Sequence, residues 1–142
     1  MEQGTLTAIE KVIFLKTVDI FKHATIEELG GVAALTEEVH FAPGTTIYSK
    51  GEPVDSIYIV LNGRVVVERN GKVVRDLGER QAFGTVAALD LEPAIHTVKA
   101  IDHVAALKLN AQDLQDLLSQ DFELVQAVIR ALCQLVREFA GR

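Results

Sequence analysis

Between Glu38 and Leu109 the sequence breaks into short runs rich in Val, Ile, Tyr and Thr, interrupted roughly every 8–12 residues by turn-forming residues. Such frequent interruption leaves no room for a long helix. Strands this short are stable only when several of them pack as two layers or close on themselves. The runs are Glu38–Phe41, Thr45–Ser49, Ser56–Leu61, Arg64–Arg69, Lys72–Leu77, Gln81–Phe83, Thr97–Ala100 and Val104–Leu109. Pro43-Gly44 and Lys50-Gly51-Glu52 separate the early ones, while Asn62-Gly63 and Asn70-Gly71 read as two-residue hairpin turns, whose backbone requires positive φ. The expected architecture is a mainly β fold, an eight-stranded β-roll or jelly roll.

The flanks follow a helical period instead. Thr7 with Glu10, and Thr25 with Glu28, form capping-box signatures, each followed by apolar residues at helical spacing. Val18, Ile20 and Phe21, between the two helices, are expected to plug the core from a loop. After the strands, Asn110 caps one helix and Asp121 opens a longer one. We expect one domain over 1–142: N-terminal helices at 1–36, the β-roll at 37–109 and C-terminal helices at 110–140. The last helix carries Phe122, Val125, Val128, Ile129, Leu132, Leu135, Val136 and Phe139, a stripe wider than one packed face needs. It reads either as a lid over the open end of the roll or as a homodimer seam through Val125, Val128, Leu132, Leu135 and Phe139. One helix can do both.

Charge and composition narrow the function. With 20 acidic against 14 basic residues and a net charge of −6, the chain lacks the clustered cations of a nucleic-acid surface. The single cysteine, Cys133, sits in an apolar helical pattern, which predicts a buried structural thiol, no disulfide and a cytoplasmic location. No apolar run approaches a membrane span, and the N-terminus has no signal-peptide pattern. His23, His40, His96 and His103 show no metal-ligand spacing. Ser49, Ser56 and Ser119 lack a nucleophile-elbow context, and Asp90 with Glu92 reads as an exposed acidic loop, so neither a metal site nor catalysis is expected.

The segment from Phe83 to Ala100, FGTVAALDLEPAIHTVKA, is the candidate site. It passes from a Gly turn into a helix start, breaks at Pro93 and leaves as a strand. A helix start after Gly presents unpaired N–H groups, including those of Val86 and Ala87, to an anion. Yet no Arg or Lys lies between Phe83 and Val98 to neutralise one. Lys99, Arg64 and Arg75 are the candidates to lean in from neighbouring strands. His96 reads either as a cation at the pocket mouth when protonated or as a strand residue facing solvent.

This order of a helix pair, a β-roll with a phosphate-facing turn between its sixth and seventh strands, and a long C-terminal helix resembles the cyclic nucleotide-binding domain. The Pro43-Gly44 turn, Gly51-Glu52, the Ile57–Val60 run followed by Gly63, and the segment Phe83–Ala100 carry the resemblance, which covers about residues 9–140. The family's phosphate-binding cassette runs approximately F-G-E, an aliphatic residue, A-L, a variable stretch, then P-R and an S/T-V-x-A ending. Phe83, Gly84, Val86, Ala87, Pro93, Thr97, Val98 and Ala100 match it. Thr85 stands where the resemblance implies a Glu that accepts a hydrogen bond from the ribose 2′-hydroxyl. Ala94 stands where it implies an Arg that pairs with the cyclic phosphate. Ile95 and His96 replace small residues.

Losing a bidentate Arg–phosphate pair costs about 3–6 kcal/mol, roughly 10²–10⁴ in affinity. The resemblance therefore implies a non-catalytic regulatory domain whose cassette, at Phe83, Gly84, Thr85, Val86, Ala87, Ala94, Ile95 and His96, binds cyclic nucleotide weakly or not at all. Two classes stay open: a sensor, of cyclic nucleotide or of another small molecule, signalling through the C-terminal helix, and an interaction module with a vestigial pocket. DNA-binding members continue past the long helix into a helix-turn-helix, whereas this sequence stops at Arg142, so output is expected from another domain or partner.

Overall fold

The computed structural model describes residues 6–141. All eight expected strands form: β1 Thr36–Phe41, β2 Thr46–Tyr48, β3 Ser56–Asn62, β4 Val65–Arg69, β5 Lys72–Leu77, β6 Ala82–Phe83, β7 Thr97–Ala100 and β8 Val104–Asn110. They pair antiparallel in two four-stranded sheets, ordered β1-β8-β3-β6 and β2-β7-β4-β5. The helices are α1 Ala8–Lys16, α2 Ile26–Ala33, α3 Thr85–Asp90, α4 Ala111–Gln120 and α5 Phe122–Ala140, with a 3-10 turn at Asp19–Phe21.

Strand β3 shows why its sequence is a continuous apolar run. Ile57 and Ile59 point into a core built with Leu107 and Leu109 and with the helices. Tyr58 and Val60 point the other way, into a second core between the two sheets with Val65, Val67, Val98 and Val104. A strand covered on both faces reads as unbroken hydrophobicity rather than as alternation.

The helix signals behave as their chemistry requires. Both capping boxes are complete: the Thr7 and Thr25 side chains accept the N–H of Glu10 and Glu28, whose carboxylates accept the N–H of Thr7 and Thr25 in return. Val18, Ile20 and Phe21 are buried in the helix-side core. The Asn110 and Asp121 side chains cap α4 and α5.

The two turn signals part company. Asn70 and Gly71 close the β4–β5 hairpin with φ of 53° and 80°, as a two-residue turn with positive φ requires. Asn62-Gly63 is not a hairpin, because β3 pairs with β6 and β8 while β4 belongs to the other sheet. The chain changes sheets there. The corner is held by the Arg64 N–H donating to Asp102 Oδ1 at 2.8 Å and the Ile101 N–H donating to the Arg64 carbonyl at 3.1 Å. Gly63, at φ 94°, lies so close to the β7–β8 loop that a Cβ would collide with the His103 carbonyl oxygen.

Helix α5 corrects two further expectations. Leu124, Ala127, Val128 and Ala131 form its packed face, and Val128, only 5% exposed, belongs to the core rather than to an outward seam. Cys133 is exposed, since the turn that buries Ala131 carries residue 133 away from the core. The outward side presents Phe122, Ile129 and Val136, which are 72%, 52% and 66% exposed. Phe139 is exposed beyond them, Leu132 is at the border of exposure and Val125 is half-buried. Among the described residues, no helix is long and apolar enough to cross a membrane.

Candidate functional site

The segment expected to form the site is anchored by the two turns that flank β2. At one end, the Gly44 N–H donates to the Ala100 carbonyl and the Ala100 N–H to that of Thr45, each at 2.8 Å. At the other, the Gly51 N–H donates to the Ala94 carbonyl at 2.8 Å and the Ala94 N–H to that of Glu52 at 2.9 Å. The Lys50 N–H adds a bond to Thr97 Oγ1 at 3.0 Å. Pro43-Gly44 and Gly51-Glu52 thus work as paired clamps on the returning strand.

Gly84, at φ 84°, turns the chain from β6 into α3, and Leu91 ends that helix in the left-handed region at φ 59°. The α3 carbonyls at Ala88 and Leu89 accept hydrogen bonds from Gln115 Nε2 of α4 at 3.2 and 3.1 Å. At six residues, α3 aligns too few peptide dipoles to hold an anion unaided.

A cleft of about 450 Å³ lies beneath this segment. Phe83, Gly84, Thr85, Val86, Ala87, Ala94, Ile95 and His96 all line it, so the structure brings the eight candidate residues together. Leu132 and Leu135 of α5 line it as well, which gives these two proposed seam residues a second setting. His96 is half-buried at the cleft just ahead of β7, rather than on a strand facing solvent. One side of the cleft is aromatic: Phe83 stacks on Tyr58 with ring centroids 5.1 Å apart and lies 6.1 Å from Tyr48. Burial first, then the neighbouring Tyr58, pushes the Tyr48 phenol up to about 12. Burial also raises Tyr58, with Asp55 adding to it. Both phenols are therefore neutral donors at physiological pH.

The three basic residues expected to lean in from neighbouring strands behave differently. Lys99 pairs with Glu68 at 3.3 Å and Arg64 with Asp76 at 2.6 Å, and neither lines the cleft. Arg75 does line it, as does Arg80, which carried no signal in the sequence because it lies in a turn. Thr17 and Asp19 join from the N-terminal segment, where only apolar plugging was expected.

Outside the cleft, His40 Nδ1 and His103 Nε2 lie 3.0 Å apart and His40 Nε2 is 3.0 Å from Glu38 Oε2. Glu38 and His40 share one face of β1, and the antiparallel β1–β8 pairing brings His103 beside them. No group of three or more His, Cys, Asp or Glu that could hold a metal occurs among the described residues. Asp90 and Glu92 form the exposed turn expected of them, with Asp90 Oδ1 accepting the Glu92 N–H at 2.9 Å.

Comparison with known proteins agrees with this geometry. Residues 38–121 match the family model described as the cyclic nucleotide-binding domain. The chain is 27% identical over 118 residues to a CRP-like cAMP-activated global transcriptional regulator of Mycobacterium tuberculosis, covering 78% of this chain and 53% of that protein. It is 32% identical over 107 residues to a cAMP-dependent protein kinase regulatory subunit of Dictyostelium discoideum, covering 70% of this chain and 33% of that one. The crystal structure of the N-terminal domain of a transcriptional regulator from Streptomyces coelicolor A3(2) superposes with a TM-score of 0.80 at 27% identity, covering 90% and 93% of the two chains. The chain therefore spans about half or less of the length of these curated relatives.

Proposed function

Because the chain belongs to the cyclic nucleotide-binding domain family, we propose that it is a regulatory sensor domain whose cleft takes a small molecule other than tightly bound cAMP or cGMP. The two relatives above are named for cAMP, and their chemistry supplies the comparison. The observation that carries the reading is Ala94. Its backbone is pinned in both directions by Gly51 and Glu52, and its 6%-exposed methyl lines a fully formed cleft at the position where a phosphate-pairing Arg belongs in the family pattern. Thr85, at the other departure, lines the same cleft.

Two physical links support transmission from the cleft. Gln115 ties the last carbonyls of α3 to α4, and Leu132 with Leu135 closes the cleft from α5. A ligand that prefers one packing of those leucines shifts α5 by its difference in affinity for the two packings. Calorimetric titration and thermal unfolding with cAMP and with cGMP test this choice of ligand. A site occupied at 100 Kd stabilises by about 2.7 kcal/mol, so the expected outcome at tens of micromolar is no stabilisation and no heat. Micromolar binding of either nucleotide would sink this reading.

A further observation favours association through α5. Phe122, Ile129 and Val136 recur at intervals of seven on its exposed side, with Leu132 between the last two, the spacing of a helix that pairs with another. We read this face as a homodimer seam, with output passing from it to a partner or another domain. Its test is the solution mass of Ile129→Glu with Val136→Glu. Both sites are exposed, so the fold persists while the dimer constant weakens by about 100-fold. An unchanged mass would leave α5 as an internal lid.

A further inference from the structure

Sheet register supplies a cation that the cassette lacks. Directly paired residues on neighbouring strands share a face, and Val67 of β4 stands opposite Val98 on β7 and Arg75 on β5. Val67 and Val98 are buried between the sheets and line the cleft. Arg75 therefore leaves the sheet on the same inner side, and it lines the cleft too. The neighbouring positions alternate outward: Val66 stands opposite Asp76 and Lys99, whose charges are taken up by Arg64 and Glu68. The Arg75 side chain has no ion-pair or hydrogen-bond partner among the described residues.

Arg80 adds a second guanidinium to the lining. Its carbon lies 5.4 Å from the centroid of the Phe14 ring, a cation–π contact. Asp19 is the one carboxylate residue among the described residues lining the cleft. In a chain of net charge −6, the described residues of this cleft include two fixed cations against one acid. Thr17, Gln81, Thr85 and His96 add uncharged or titratable polar groups, and the rest of the lining is apolar or aromatic, with Phe83 and Tyr48 on one side and Leu132 and Leu135 on another.

We infer that Arg75, assisted by Arg80, is the anion-recognising group of this cleft, and that its ligand is an aromatic organic anion, a carboxylate or a phosphate monoester. The inference rests on the cleft being a ligand site, as proposed above. Adjacent strands lie about 4.8 Å apart, so Arg75 stands two strands, about 10 Å, from the β7 side where the cassette cation is missing. The charged end of the ligand thus points towards β5. A planar guanidinium binds either acid bidentately, and aromatic rings provide stacking for the body of the ligand.

The test is a ¹H–¹⁵N NMR titration of the whole chain with aryl carboxylates, aryl phosphates and the matched neutral carboxamides. Amide shifts at Val67, Leu77 and Val98 report the cleft, separately from α5. Wild type is compared with Arg75→Gln and with Lys72→Gln, which removes one charge from the same strand without touching the cleft lining. At least one acid series is expected to bind the cleft about tenfold or more tightly than its amides, with the stronger series identifying carboxylate or phosphate. Arg75→Gln should abolish that preference and leave the amides' affinity unchanged, while Lys72→Gln retains it. Equal binding of acids and amides, or a preference that survives in Arg75→Gln, would overturn the role of Arg75 while leaving the cleft a ligand site. Failure of every probe to move these amides would sink the cleft reading together with this one.

Discussion

Ala94→Arg combined with Thr85→Glu is expected to bind cAMP about 10²–10⁴-fold more tightly than the parent chain. The gain follows from where the two side chains start. Hydrogen bonds to Gly51 and Glu52 hold Ala94 on both sides, so its Cα–Cβ direction is set by the scaffold and an Arg there projects into the cleft. Each charge-assisted bond to a phosphate contributes roughly 1.5–3 kcal/mol, and the planar fork makes two of them. Ala94→Arg alone should supply most of the effect. Thr85→Glu alone should supply none, because a carboxylate beside an unneutralised phosphate repels it. The two substitutions therefore combine more than additively, and calorimetry on both singles and the double measures that coupling. A double variant that unfolds at the parent's temperature yet binds no nucleotide would show that Thr85 and Ala94 do not account for the lost affinity. The bulk of Ile95 and the closure by Leu132 and Leu135 would then be the obstacles.

The features that were legible in the sequence are those with a short-range cause. Thr7–Glu10 and Thr25–Glu28 announce their helices because each box closes over three residues. Asn70-Gly71 announces its hairpin because both residues must take positive φ. The segment at 83–100 was readable because its turn, helix and strand follow one another without a gap. What stayed hidden depends on pairing across the chain. Asn62-Gly63 has the composition of a hairpin, and only the neighbours of β3 show that the chain is changing sheets. Val128 and Ile129 are adjacent apolar residues that diverge to opposite destinations, core and surface, in a helix that carries two apolar faces. The β1 strand begins two residues earlier than its β-rich run, at Thr36, whose hydroxyl donates to the Ala33 carbonyl at the end of α2. Arg75 is one of three basic candidates of equal standing in the sequence; register separates it from Lys99, and the ion pair with Asp76 separates it from Arg64. Its own strand gives no help, because Val73 and Val74 are both exposed and the alternation is lost.

Gly84→Ala is expected to cost about 3 kcal/mol or more of a total stability of roughly 5–15 kcal/mol, and to lower Tm by about 10 °C. Two effects add. The backbone at φ 84° lies where a Cβ meets its own following carbonyl, at a cost of about 1–2 kcal/mol. The new Cβ would also stand 2.6 Å from the Ser56 carbonyl oxygen and 3.4 Å from a Val54 methyl. Ser56 is fully buried at the start of β3, paired with Asn110 on β8, so that carbonyl cannot retreat without disturbing the central strand pair. The strain should be relieved by the cassette instead, opening the cleft at α3. Gly30→Ala and Gly31→Ala give the contrasting sign. Neither has any atom within 4 Å of the added Cβ, neither has positive φ, and both lie inside α2. Each should stabilise by about 0.5–1 kcal/mol, because alanine loses less backbone freedom on entering a helix. Thermal unfolding of the three variants separates the cases: destabilisation by all three would point to a general intolerance of side chains at glycine. Loss confined to Gly84→Ala ties the stability of the fold to the close approach between the cassette turn and β3. That approach sets the position of Thr85, the first residue of α3, and so the glycine that shapes the site also holds it against the core.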